Sequence, residues 1–160
     1  GAEAFNAPLA WDTSKVTSMQ STFIEAAAFN SELAWDTSSV TSMIGTFNSA
    51  AAFDQPLAWD TSKVTTMQST FSMAKAFDQP LGDWDVAKVG DFSFAFYGTA
   101  LSSNDCLKSD TFFSWATTQK NQDFAKEYKD WEKTDWGKAF QGCKALSKKT
   151  KGAMKGVFGS

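Results

Sequence analysis

Asp12, Asp36, Asp60 and Asp85 each follow a tryptophan at a nearly constant interval. A column of carboxylates is what a calcium ladder or a pair of acid–base catalysts would require. Their recurrence points elsewhere: a catalytic pair is needed once, whereas a turn-forming residue is needed in every copy of a repeat. The glycine-rich, aspartate-containing signature of calcium-binding rolls is also missing. The chain contains no histidine, so neither a Ser-His-Asp nor a Cys-His arrangement can form, and the commonest general base and transition-metal ligand is gone. The expectation is a protein that is not an enzyme and carries no metal or cofactor.

Cys106 and Cys143 are the only cysteines and stand nearly forty residues apart. A bridge between them would remove ~3–4 kcal/mol of loop entropy from the unfolded chain. Two buried thiols or half of a metal site are the rival readings, and the metal reading lacks the further Cys or His ligands of a tetrahedral site. The disulfide is the expectation, and with it an oxidising compartment: extracellular, at a cell surface or in an organelle lumen.

The elements that carry these residues are set by a 24-residue repeat, present four times in residues 1–101. Phe5, Phe29, Phe53 and Phe77 open the copies; Trp11, Trp35, Trp59 and Trp84 precede the aspartates; Val16, Val40, Val64 and Val89 follow them. Each copy also holds a leucine (Leu9, Leu33, Leu57, Leu81) and a second phenylalanine (Phe23, Phe47, Phe71, Phe96). A period of this size denotes stacked units, each too small to bury its own apolar face. These residues are therefore expected to be core columns. Val16 between Lys15 and Thr17 suggests a short strand. Met19, Phe23 and Ala26–Ala27 fall at helical spacing, with Thr17 or Ser18 as N-cap. Pro8, Pro56 and Pro80 mark a return loop, and Asp-Thr-Ser (12–14, 36–38, 60–62) suggests a side-chain-stabilised turn. The fourth copy departs from the pattern: it inserts a residue near Gly82-Asp83, has Phe92 in the methionine position and adds Phe94.

This repeat resembles the BspA-like leucine-rich repeat, Trp-Asp-x-Ser-x-Val-x-x-Met-x-x-x-Phe-x-x-Ala-x-x-Phe-Asn-x-x-Leu, of bacterial surface proteins and unicellular algae. The likeness covers residues 5–101. The stretch from Ala100 through Cys106, Ser114-Trp115 and Cys143 is similar to the C-terminal caps of algal members. The resemblance implies an α/β repeat, a short leucine-rich-repeat-like right-handed solenoid of four 24–25-residue coils with a helical C-terminal cap. It implies adhesion or protein binding and brings no catalytic residues.

Three segments result: a four-repeat solenoid (1–101), a helical cap (102–143) with Phe112, Phe113, Trp115, Phe124, Tyr128 and Trp131 on apolar faces that are expected to cover the exposed end of the fourth copy, and a basic tail (144–160). The net charge of −3 divides unevenly, with 4 Lys against 11 acids in residues 1–101 and 11 Lys against 7 acids in residues 102–160. All fifteen basic residues are lysine. Without arginine, and with an acidic array, nucleic acid is not an expected partner. Lys148, Lys149, Lys151 and Lys155 lie largely off the stripe Leu146, Thr150, Ala153-Met154, Val157. That pattern reads either as a basic amphipathic helix for an anionic surface or as a solvated tail. No apolar run reaches the ~20 residues that span a bilayer, so the chain as given is expected to be soluble. It opens at Gly1 inside the rhythm of the first copy, as a processed form or a fragment would.

The expected function is protein binding or structural support through an extended face, with Lys15, Lys63 and Lys88 as candidate contacts beside Ser39 and the column Thr17, Thr41, Thr65, Gly90. An accessory or linker subunit of a larger, membrane-associated or organellar complex, anchored by the tail, is the alternative. Threonine columns 13-37-61, 17-41-65 and 22-46-70 also raise an ice-binding surface, which Lys15 and Lys63 interrupt.

Overall fold

The computed structural model describes residues 2–103, 111, 114 and 115. The first 101 residues form four stacked coils, here numbered 1 (residues 5–28), 2 (29–52), 3 (53–76) and 4 (77–101). Equivalent residues lie one above another, so the repeat period becomes a set of vertical columns.

Three aromatic columns make the core. The opening phenylalanines stack at 5.7, 6.0 and 6.0 Å between ring centroids, from Phe5 to Phe77. The tryptophans stack at 5.5, 6.3 and 6.4 Å, from Trp11 to Trp84. The second phenylalanines stack at 5.2, 5.4 and 5.7 Å, from Phe23 to Phe96. Contacts between adjacent coils fuse the two phenylalanine columns: Phe47 is 4.0 Å from Phe53, and Phe71 is 4.0 Å from Phe77. Near-parallel, offset rings of this kind add ~0.5–1.5 kcal/mol per pair beyond the area they bury. The tryptophan nitrogens are paired as well: the indoles of Trp35, Trp59 and Trp84 donate to the carbonyls of Leu9, Leu33 and Leu57 at 2.9, 3.1 and 3.0 Å. Burial thus leaves none of these three donors unpaired.

The α/β architecture expected from the sequence is not what the chain forms. The strand expected around Val16 is replaced by a turn, in which Val16, Val40 and Val64 donate their amides to the carbonyls of Thr13, Thr37 and Thr61, each at 2.9 Å. Parallel pairing is reduced to isolated bridges, Ser18 to Ser42, Ser42 to Thr66 and Thr66 to Asp91. The helix expected from Ser18 onward is replaced by consecutive β-turns. Amides of Thr22, Ile24 and Ala26 bond three residues back within coil 1, to Met19, Ser21 and Phe23. The intervening amides of Met19, Ser21, Phe23 and Glu25 donate instead to coil 2, at Ser42, Ile44, Thr46 and Asn48 (2.8–2.9 Å). An amide committed to the next coil cannot bond four residues back, so a helix is excluded. The turns require a left-handed residue every fourth position: Ser21 and Glu25, Gly45 and Ser49, Ser69 and Met73, Phe94 and Gly98 all have φ between 53° and 72°. This is the third position of a type II-like turn.

The helical cap is corrected too. Beyond the array the described residues give one short 3-10 turn, Leu101–Ser103, and the side chains of Thr111, Ser114 and Trp115. Trp115 is fully buried, lies 5.7 Å from Phe92 and 6.0 Å from Phe96, and donates its indole N–H to the Leu81 carbonyl at 2.8 Å. That bond repeats the tryptophan-to-leucine bond of the coils below, while the ring itself packs tilted against Phe92 and Phe96. Ser114 donates to the Gly82 carbonyl (2.8 Å), and the Leu81 amide donates to Thr111 Oγ1 (3.4 Å).

Candidate functional site

The aspartates that could have done chemistry are turn residues. Asp12, Asp36, Asp60 and Asp85 each accept the amide two residues on, from Ser14, Ser38, Ser62 and Ala87, at 2.9–3.1 Å. Asp91 accepts from Ser93 in the same way, at 2.8 Å. The Ser14, Ser38 and Ser62 bonds, hydroxyl before amide, hold the carboxyls of Asp12, Asp36 and Asp60 below their ordinary value. At Asp91 the amide of Ser93 leads. Asp60 is also drawn down by Lys63 and Lys88, while Asp36 feels opposing repulsion from Asp60 and Asp12. Among the described residues, no three Asp, Glu, His or Cys side chains converge as a metal site.

Beside this acidic column lie Lys15, Lys63 and Lys88, all exposed, with the half-buried Ser39 donating its hydroxyl to the Ser14 carbonyl at 3.0 Å. Thr17, Thr41, Thr65 and Gly90 form the adjoining exposed column. Its upper hydroxyls are occupied: Thr41 and Thr65 donate to the carbonyls of Thr17 and Thr41, both at 3.1 Å. The other two threonine columns turn largely inward. Thr37 and Thr61 are buried and donate to the carbonyls of Asp60 and Asp85 at 3.0 and 2.9 Å. Thr46 and Thr70 are buried and bond to methionine carbonyls. A flat threonine lattice of the kind an ice-binding surface needs is therefore not presented.

The core columns behave as expected in coils 2 to 4, where Phe29, Phe53, Phe77, Trp35, Trp59, Trp84, Val40, Val64 and Val89 are buried. Coil 1 differs. Phe5 and Val16 are only half-buried, and Trp11 is 59% exposed. A cavity of about 210 Å³ lies between coils 1 and 2 against Trp11, Thr13, Val16, Met19, Trp35 and Val40. Thr13 Oγ1 is buried there without a hydrogen-bond partner. A second, shallower groove of about 400 Å³ runs over Leu33, Trp35, Pro56 and Trp59. At the other end Phe94 and Tyr97 are 67% and 64% exposed and meet edge to face at 6.3 Å.

Cys106, Cys143 and the tail lysines Lys148, Lys149, Lys151 and Lys155 lie outside the described residues, as does most of the segment 102–143. The residue pattern did not single out the unpaired Thr13 hydroxyl. It did place Trp115 in the segment expected to cover the exposed end of the fourth copy, and Trp115 is buried there against Phe92 and Phe96, although it follows Trp84 by 31 residues, out of step with the period.

The class defined by this geometry is a stack of short repeats joined by aromatic columns and hydrogen bonds between coils. Residues 1–110 match the family described as "Mycoplasma protein of unknown function, DUF285", and the chain belongs to that family. No curated protein and no solved structure matches it.

Proposed function

We propose that this protein is a non-enzymatic repeat module of the BspA-like kind that presents the flank carrying Lys15, Lys63 and Lys88 to a protein partner. The observation that supports this most is the division of labour within the coil. Aromatic and aliphatic residues are consumed by stacking and the aspartates by turns, while the lysines stay exposed at the equivalent position of coils 1, 3 and 4. Repeated faces of this sort bind by shape and multiplicity rather than through one pocket.

The test is a photo-crosslinking residue placed at 15, 63 or 88 in the protein in its native source, followed by affinity measurement with the purified crosslinked partner. The triple variant K15E/K63E/K88E should weaken that complex about tenfold or more at low salt, since three exposed charge contacts at ~0.2–1 kcal/mol each are reversed. An unchanged affinity would refute the assignment of this flank. A Cys106–Cys143 bridge, and through it an oxidising, surface or lumenal location, belongs to the same reading. Mass analysis without reductant that finds two free thiols would remove that part.

A second reading, an accessory subunit held in a larger assembly and anchored on an anionic surface by residues 144–160, gains support from the incompletely covered coil 1, where Trp11 is 59% exposed. Isolation from the native source as a lone monomer would count against it.

A further inference from the structure

We infer that the cavity between coils 1 and 2 is a binding site for a small, uncharged aromatic molecule bearing one hydroxyl group, held against Trp11 and Trp35 and hydrogen-bonded to Thr13. The argument begins with the bond that closes the equivalent place elsewhere in the stack. Thr37 Oγ1 donates to the Asp60 carbonyl at 3.0 Å, and Thr61 Oγ1 donates to the Asp85 carbonyl at 2.9 Å. The corresponding partner for Thr13 is the Asp36 carbonyl, and that bond is not made. Thr13 is 6% exposed and its hydroxyl oxygen has no partner. A buried hydroxyl left in this state is costly, which makes it a ready anchor for any ligand that supplies the missing bond.

The space beside it suits a ring. The cavity of about 210 Å³ is walled by Trp11, Val16, Met19, Trp35 and Val40, and a dry apolar cavity of about 150 Å³ is enough to accept benzene. The other buried polar side chain at its wall, Thr37, is bonded as above, Thr22 donates to the Met19 carbonyl at 2.8 Å, and the exposed Asp36 carboxylate accepts the Ser38 amide. The buried part of the site therefore asks for one polar atom. Trp11 forms a lid unlike its equivalents: it is tilted 18° to Trp35 at 5.5 Å, whereas Trp35 and Trp59 lie 2° apart at 6.3 Å. The exposed Asp36 carboxylate also borders the cavity, so a carboxylate ligand is disfavoured by like charge and by desolvation.

Fluorine NMR of the full chain with three probes tests this: 4-fluorophenol, fluorobenzene and 4-fluorobenzoate. The phenol should bind with a dissociation constant of ~1 mM or tighter, a modest value for a ligand of this size. Fluorobenzene should be weaker by a fewfold to about tenfold, the range that one neutral hydrogen bond supplies, and the benzoate should not bind. Thr13→Val should bring the phenol down to the fluorobenzene affinity while leaving fluorobenzene unchanged. Trp11→Ala, at a largely exposed position whose loss spares the buried core, should weaken both, with urea midpoints confirming that each variant is folded. No binding of the phenol at about ten times that concentration, equal affinity of phenol and fluorobenzene, or binding that both variants leave unaltered would each overturn the inference.

Discussion

Replacing Gly45 by alanine decides between a helix and the chain of turns, because the two give opposite signs. In a helix interior alanine is better than glycine by ~1 kcal/mol, so the variant would be stabilised by that amount. Here Gly45 has φ +58°. A Cβ added there would meet only Ser21 Oγ at 3.7 Å and Asn48 Cβ at 3.8 Å, which is ordinary contact. No clash contributes, and the effect is conformational. An L-residue in the left-handed region costs ~1–2 kcal/mol. The smaller entropy of the unfolded alanine chain returns ~0.4–1 kcal/mol, leaving a net loss of about 1 kcal/mol. Ser69 occupies the same place in coil 3 at φ +53°, so Ser69→Gly should run the other way and stabilise by ~1 kcal/mol on the same balance. Urea unfolding followed by tryptophan fluorescence measures both, with the slope checked for constancy. Stabilisation by Gly45→Ala together with destabilisation by Ser69→Gly would refute the turn assignment.

Gly98→Ala should cost more, ~2 kcal/mol or above in urea unfolding, because φ +72° is joined by a contact of 2.8 Å to Met73 Sδ and overpacking adds its own strain; Met73→Ala in the same chain should recover part of the loss. Trp115→Ala should lower stability by ~3–5 kcal/mol, the usual loss for a buried tryptophan, and Trp115→Phe by less, since it keeps the ring but leaves the Leu81 carbonyl without its donor. Thr37→Val should destabilise by ~1–2 kcal/mol through loss of the bond to Asp60, whereas Thr13→Val should be neutral or mildly stabilising because its hydroxyl has nothing to lose. The carboxyls of Asp12, Asp36, Asp60 and Asp91 are lowered from 3.8, so their contribution is present above about pH 4 and is lost as the pH falls through their folded values. Asp36→Asn should shallow that acid limb in a pH series of urea midpoints while retaining the turn, because an amide oxygen can accept the Ser38 amide as well.

The columns were legible in the sequence because identical spacing forces identical environments, and Phe29, Trp35, Val40 and their equivalents are buried as their repetition requires. The aspartate turns were legible for a local reason: an Asp with a serine two residues on carries its own partner. The helix was misread because Met19, Phe23 and Ala26 fall at spacings of four and three. A chain of turns whose left-handed residue recurs every fourth position buries side chains at nearly the same interval as a 3.6-residue helix. Over eight residues the two periods do not separate. Gly45 and Gly98 carried the missing signal, since each falls in a column whose other members are also left-handed. That glycine is the residue most at ease with positive φ makes both positions readable in retrospect.

The two ends of the stack show why the exceptions matter more than the repeat. At the C-terminal end Trp115 repeats the tryptophan-to-leucine bond and shields the aromatic columns. At the other end, coil 1 sends the amides of Met19, Ser21, Phe23 and Glu25 towards coil 2. The carbonyls of Ser18, Gln20, Thr22 and Ile24 occupy the places whose equivalents in coil 2 accept those amides, and among the described residues they accept no hydrogen bond. An ordinary sheet edge offers alternating donors and acceptors, which is why it recruits stray strands. Here the run from Ser18 to Ile24 offers four acceptors in succession beside one donor, the Thr17 amide, whose equivalents at Thr41 and Thr65 donate to the coil before. Two such runs facing each other in a pair of first coils would bring carbonyl against carbonyl over most of their length. Coil 1 can therefore keep Trp11 and the Thr13 cavity open to solvent without its backbone inviting an indiscriminate strand. The first coil combines an incomplete core with a one-sided edge, and that combination leaves a small ligand room to enter where the later coils have closed.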